Sequence, residues 1–122
     1  MSDKIAGKFV GILFVSRTLT HILHLNTDSY SKHKALKTFY TEIENLADDF
    51  AEQYQGKYNV LLDIPILSAK DTDPIKYIED TRDYIDKTMY LVCDKECTAL
   101  QNTIDEIENL CNSTLYKLRN LK

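Results

Sequence analysis

Apolar residues recur along this chain at alternating spacings of three and four, in four separate runs. The first passes through Ile5, Phe9, Ile12, Ser16, Leu19 and Leu23. The second passes through Leu36, Tyr40, Ile43, Ala47, Phe50 and Tyr54, with Phe39 and Leu46 widening it. The third runs through Ile75, Ile78, Arg82, Ile85, Met89 and Val92, and the fourth through Cys97, Leu100, Ile104, Ile107, Cys111, Leu118 and Leu121. That spacing places each set on one face of a helix, and a one-sided apolar face must be buried against another. Four helices packed on one another are therefore expected.

The boundaries carry their own signals. Thr27, Asp28 and Ser29 can each accept a backbone N–H ahead of the second run. Gly56, just past Tyr54, reads as a helix stop. Asp73 followed by Pro74 reads as a cap with proline at the first helical position. Two connections are short, which makes their helices antiparallel neighbours. The third, KYNVLLDIPILSAKDTD, is long and holds Val60, Leu61, Leu62, Ile64, Ile66 and Leu67. It is too apolar for a solvated loop and is expected to pack on the bundle. The fold class is all-α: a four-helix bundle with one long crossover between the second and third helices, which is the ferritin-like arrangement.

Composition narrows the class. At 122 residues, the chain is expected to form one domain over 1–122. Two prolines and three glycines suit long helices, whose interiors tolerate neither residue well. A net charge of −4 and the absence of a basic run argue against nucleic acid as a partner. The apolar opening, MSDKIAGKFVGILFVS, is followed at once by Arg17. It reads as a core helix too short to span a bilayer, in a cytoplasmic protein with no membrane partner. Three cysteines, Cys93, Cys97 and Cys111, fit no disulfide framework and read as free thiols. Arg82, which interrupts the third stripe, reads as a snorkelling side chain at the bundle rim.

The chemistry concentrates in HILHLNTDSYSKH, which holds all three histidines of the chain. With the turn near Asn26–Ser29 as a hairpin tip, His21 and His33 are expected abreast, with His24 one turn nearer the tip. Asp48 and Glu52, four apart, share one side of the second helix and make half a cation site. His33 lies fifteen residues before Asp48, about 22 Å along a helix, whereas a metal ligand reaches about 2 Å. These groups can share an ion only if two copies pair across a two-fold axis, which places His33 of one chain near Asp48 and Glu52 of the other. The plainer alternative is a polar dimer interface of histidine–carboxylate hydrogen bonds without metal.

The set His21, His33, Asp48 and Glu52 resembles the ferroxidase motif of the Dps family, the DNA-protection branch of the ferritin-like proteins. The likeness covers about residues 15–56. It implies a site across a two-fold interface, with histidines from one subunit and the later carboxylates from the other. The cofactor implied is iron or another divalent transition metal, in a homodimer or higher oligomer, with weak iron or peroxide chemistry. More of the chain, through to TLYKLRNL, resembles small ferritin-like proteins of tailed phages, which implies the host cytoplasm as its location. The departures are specific. Lys37 stands where Dps proteins place a further acidic ligand, so its ammonium competes with a cation, and His24 and Lys37 form an additional polar site. The chain also lacks the lysine-rich tail those proteins use on DNA. A second expectation follows from Lys37 and the small size: a non-catalytic phage protein that binds and inhibits a host protein or sequesters a small ligand.

Overall fold

The computed structural model describes residues 2–70 and 72–122; Met1 and Asp71 lie outside the described residues. It contains four helices, α1 (Ser2–Asn26), α2 (Tyr30–Tyr58), α3 (Pro74–Val92) and α4 (Thr98–Asn120), and no strand among the described residues. Of the three candidate caps before α2, Ser29 takes the position: its backbone is extended and its Oγ accepts the Lys32 N–H. Asp73 caps α3 as the Asp-Pro pair requires, accepting the Lys76 N–H at 3.0 Å.

Gly56 does not end the second helix. α2 continues through it to Tyr58, and Asn59 closes the helix in the left-handed region (φ 53°, ψ 51°), with its N–H on Gln55 O. Asparagine is one of the few residues that adopts this conformation readily, and it serves here as the glycine was expected to.

Contacts at the helix ends give the directions. Tyr54 Oη donates to Asp3 at one end of the α1–α2 pair, and His24 meets His33 at the other. Gln53 bonds Thr103 where α2 ends and α4 begins, and Ser31 Oγ donates to Leu121 O where α2 begins and α4 ends. Gln101 joins the start of α4 to the end of α3, and Arg119 pairs with Glu79 at their other end. Phe9 of α1 stacks on Tyr84 of α3 with centroids 6.3 Å apart. In space the helices stand in the order α1, α2, α4, α3 around one core, running up, down, up and down, so along the chain they run up, down, down, up.

Because α2 and α3 run the same way, residues 59–73 must climb the full height of the bundle between them. They climb over α1. Val60, Leu62 and Ile64 are partly buried and alternate with the exposed Leu61 and Asp63, an extended-chain alternation without a sheet that ends at Pro65, whose ring lies against Gly11. Two glycines of α1 permit the approach. A Cβ at Gly7 would lie 2.3 Å from Asp63 O, and one at Gly11 would lie 2.9 Å from Pro65 O.

The side of α1 that enters the core is broader than the stripe its spacing suggests, of which Phe9, Ser16, Leu19 and Leu23 are buried. Ala6, Phe9, Val10 and Leu13 are fully buried, whereas Ile5 and Ile12 are only partly covered. This helix is apolar nearly all round, because α2, α3 and the crossover each cover part of it, and periodicity cannot then single out one face. At 25 residues it also outruns the length assigned to the opening segment. Asp3–Asn26 is long and apolar enough to cross a membrane on composition alone; half of its apolar window is buried in this bundle, as in a core helix of a soluble protein.

Candidate functional site on the first helical hairpin

The α1–α2 hairpin brings the three histidines and Tyr40 into one stack. His24 and His33 lie face to face with centroids 3.7 Å apart. His21 stacks on Tyr40 at 4.2 Å, and the edge of His24 meets the Tyr40 ring at 5.3 Å. The residue abreast of His33 is thus His24, and His21 lies one turn down, against Tyr40. His24, expected one turn nearer the tip in a polar site with Lys37, is buried, 6% exposed.

The reason is a reciprocal pair of hydrogen bonds. His24 Nδ1 lies 2.7 Å from His33 O, and His33 Nδ1 lies 2.9 Å from His24 O. A carbonyl only accepts, so each Nδ1 carries the proton, and in the neutral ring Nε2 keeps the lone pair. His24 O is one of the last carbonyls of α1, which lack a partner within the helix, so His33 supplies a side-chain cap to its neighbour. Both rings are oriented as ligating imidazoles are, with one nitrogen tied to backbone and the other left as a donor atom.

The carboxylates stand apart. Asp48 and Glu52 are exposed on the outer side of α2 and have no hydrogen bond or ion pair among the described residues. Fifteen residues of helix separate His33 from Asp48, about 22 Å. Among the described residues, no three histidine, cysteine or acidic side chains converge as a metal-ligand group. The donor types suit a transition ion, but in a single chain they do not meet. Lys37 is exposed one turn beyond His33, also without an ion pair. Further down the same seam Arg17 Nε pairs with Glu44 at 3.0 Å. Beside that pair, Phe14, Thr18 and Asp48 help line an open hollow of about 380 Å³.

Sequence reasoning set His24 in a polar site with Lys37, not opposite His33, and gave Tyr40 no part in the site. A count outward from the tip finds the His24–His33 pairing: His24 precedes the end of α1 by two residues, and His33 follows the start of α2 by three. Tyr40 was assigned to the apolar stripe, yet it is half-buried and serves as the platform for His21.

Two other polar clusters sit away from the hairpin. At the α3–α4 corner, Gln101 Nε2 donates to the Met89 and Cys93 carbonyls at 2.9 Å and approaches Cys93 Sγ at 3.2 Å, while its Oε1 has no partner. Tyr58 Oη lies 3.2 Å from Cys97 Sγ. Burial, with Cys97 nearby, pushes the Cys93 thiol up to about 11; burial beside Glu108 pushes Cys111 up to about 12. Both stay protonated at neutral pH and are poor nucleophiles and ligands. Between α3 and α4, partial burial and then the Asp86 carboxylate raise Glu108 above its usual range. Arg82, at the bundle rim as expected, reaches Asn112 and Asp83.

Comparison with known proteins places the chain. Its residues 24–118 match the model of a family of unknown function, DUF5856. It is 35% identical over 118 residues, covering 93% of this chain and 87% of the relative, to an uncharacterized 14.6 kDa protein in the mobD-ri intergenic region of Enterobacteria phage T4. No solved structure matches. A match over so much of the chain, beginning at His24 and spanning α2, the crossover, α3 and most of α4, makes this protein a member of the DUF5856 family.

Proposed function

We propose that the protein is a small phage-encoded, ferritin-like metal-binding dimer, with His21 and His33 of one copy and Asp48 and Glu52 of the other holding a divalent transition ion such as iron. The observation that carries this reading is the imidazole arrangement: His33 Nδ1–H is committed to a backbone carbonyl, so Nε2 is presented as a ligand atom. The unpartnered carboxylates supply the hard oxygen donors such a site needs, and a two-fold axis supplies two equivalent sites. The ferritin-like relationship draws its support from the up-down-down-up course and its single long crossover. Lys37 opposes the cation, which favours one ion per site over two. Such a site binds metal; any iron or peroxide turnover there is weak.

The test is elemental analysis of gently purified protein, followed by Zn(II) and Fe(II) titration. About one ion per chain is expected. Loss of metal in His33→Ala is informative only if the hairpin survives, so Asp48→Asn with Glu52→Gln is the cleaner variant. Those side chains have no partner within their own chain, and their replacement should abolish uptake while circular dichroism shows the helices kept. No metal in the native protein and no uptake by titration would sink this reading.

The second reading, a non-catalytic protein that binds and inhibits a host protein or takes up a small ligand, draws on the crossover. Leu61 is 89% exposed, and Ile66, wholly exposed, stands at an apolar hollow of about 450 Å³ lined also by Phe14, Val15 and Ile64. Its test is retention of one host protein by the wild type and its loss with Leu61→Asp and Ile66→Asp.

A further inference from the structure

The outer side of α2 carries its charges in an unusual order. Lys34 and Lys37 stand toward its N-terminus, and Asp48 and Glu52 toward its C-terminus, all four exposed. The first turn of α2 contains no acid and includes Lys32. This is the reverse of the order the helix dipole favours at an N-terminus. Nor is it explained by ion pairing within the chain. Lys37, Asp48 and Glu52 have no partner among the described residues, and Lys34 only overlies the Tyr30 ring at 5.9 Å.

The order is self-complementary. Thr41 and Asn45 lie midway between the lysines and the carboxylates. A two-fold axis at that level, perpendicular to the helix, sets Lys34 opposite Glu52 and Lys37 opposite Asp48 of a second copy. The exposed side of α1 has the same centre. The Arg17–Glu44 ion pair and the His21–Tyr40 stack fix the register of the hairpin, and they bring Thr18 level with Ile43. Thr18 is flanked one turn away on each side by Phe14, 38% exposed, and Ile22, 46% exposed. The operator that pairs the α2 charges therefore also sets Phe14 against Ile22 of the copy. Two rows on two helices share one axis level.

We infer that the outer α1–α2 layer is a homodimer face, on which each helix lies antiparallel to its own copy, with Phe14 meeting Ile22 and Lys34 and Lys37 meeting Glu52 and Asp48. The inference rests on the two-copy arrangement that the metal reading also needs, but this contact requires no metal. α2 in contact with its copy over about 27 Å, and α1 over the shorter stretch from Phe14 to Ile22 that the crossover leaves open, each about 10 Å wide, offer roughly 400 Å² per copy, less than a standard tight interface, so micromolar association is expected.

The experiment is sedimentation equilibrium of the full chain in EDTA across a concentration series, at low and high salt. A dimer at tens of micromolar, weakened by salt, is expected. Lys34→Glu with Lys37→Glu should weaken it about 10- to 100-fold, as should Asp48→Lys with Glu52→Lys, and Ile22→Asp should act independently. Circular dichroism checks that each variant keeps its helices; any that does not is replaced by the neutral Gln or Asn version. Mixing the two charge-reversed chains should restore a heterodimer, a result that misfolding cannot produce. A monomer throughout in EDTA overturns the inference, as does a dimer indifferent to every one of these substitutions. The outcomes separate the two claims. Dimerisation only on adding Zn(II) would remove this contact and leave the metal reading intact, whereas a metal-free dimer that never takes up an ion does the opposite.

Discussion

His24 shows how a buried polar residue can define a hairpin. Its ring is packed between His33 and Tyr40, and both polar ends of the ring pair are spoken for by backbone carbonyls. Removing it deletes one hydrogen bond directly and disturbs the second, which caps the end of α1. The His33 carbonyl keeps the Lys37 N–H of its own helix, so the direct loss is that of the side-chain bond, about 0.5–1.5 kcal/mol. His24→Ala should therefore lower stability by about 2–4 kcal/mol, combining that loss with the cavity left by the ring. Urea unfolding followed by circular dichroism measures this. His21→Ala, which leaves every recorded hydrogen bond in place, should cost less than half as much. If the two variants were equally destabilised, the reciprocal bonds would not be what holds the tip. The sequence made the histidine cluster visible but not its register. A shift of one helical turn separates His21 from His24 as the partner of His33, and the tip signals, Thr27, Asp28 and Ser29, leave that much freedom until one of them is fixed as the cap.

The helices were legible in proportion to how one-sided they are. α2, α3 and α4 have polar outer faces, and their stripes gave their existence and inner face directly. α1 is wrapped on three sides, so its stripe gave only part of its core face: Phe9, Ser16, Leu19 and Leu23 are buried as the spacing suggests, but Ala6, Val10 and Leu13 are buried beside them. Its glycines report the wrapping. Gly7 and Gly11 face the crossover at distances that leave no room for a methyl group, while Gly56, in the last turns of α2, has nothing within 4 Å of where a Cβ would be. The three glycines thus make opposite predictions for one substitution. Gly56→Ala should stabilise by about 0.5–1 kcal/mol, since alanine loses less backbone entropy in a helix. Gly7→Ala should destabilise by about 1–3 kcal/mol, because the obstacle is the Asp63 carbonyl, a backbone atom that moves only with the crossover. Gly11→Ala, with a longer approach to Pro65, should fall between them. Thermal midpoints of the three single variants give the order. A stable Gly7→Ala protein would mean that the crossover does not lie against α1 there.

At the scale of the whole molecule, the long connection decides the topology. Its apolar content announced that it packs, and it does so through alternate residues, with Leu61 and Ile66 left facing outward. What the amino-acid pattern could not show was the path, because a fifteen-residue segment can close many geometries. The helix directions remove that freedom. α3 has 19 residues, so its start lies about 28 Å above the end of α2, and an extended chain advances at most about 3.3–3.6 Å per residue. Residues 59–73 can span about 50 Å, enough for the climb and a sideways step around α1. Deleting Ser68, Ala69 and Lys70, all exposed, leaves about 40 Å of reach and should cost little. Deleting Leu61–Ser68 leaves about 24 Å, less than the climb alone. That chain cannot place α3 beside its own α1. It should either lose its cooperative melt or pass α3 and α4 to a second copy in a domain-swapped dimer. Light scattering and thermal circular dichroism on the two deletions distinguish these results. A monomer with native stability from the longer deletion would show that α3 can enter the bundle from its lower end, and that the up-down-down-up course is not imposed by the crossover.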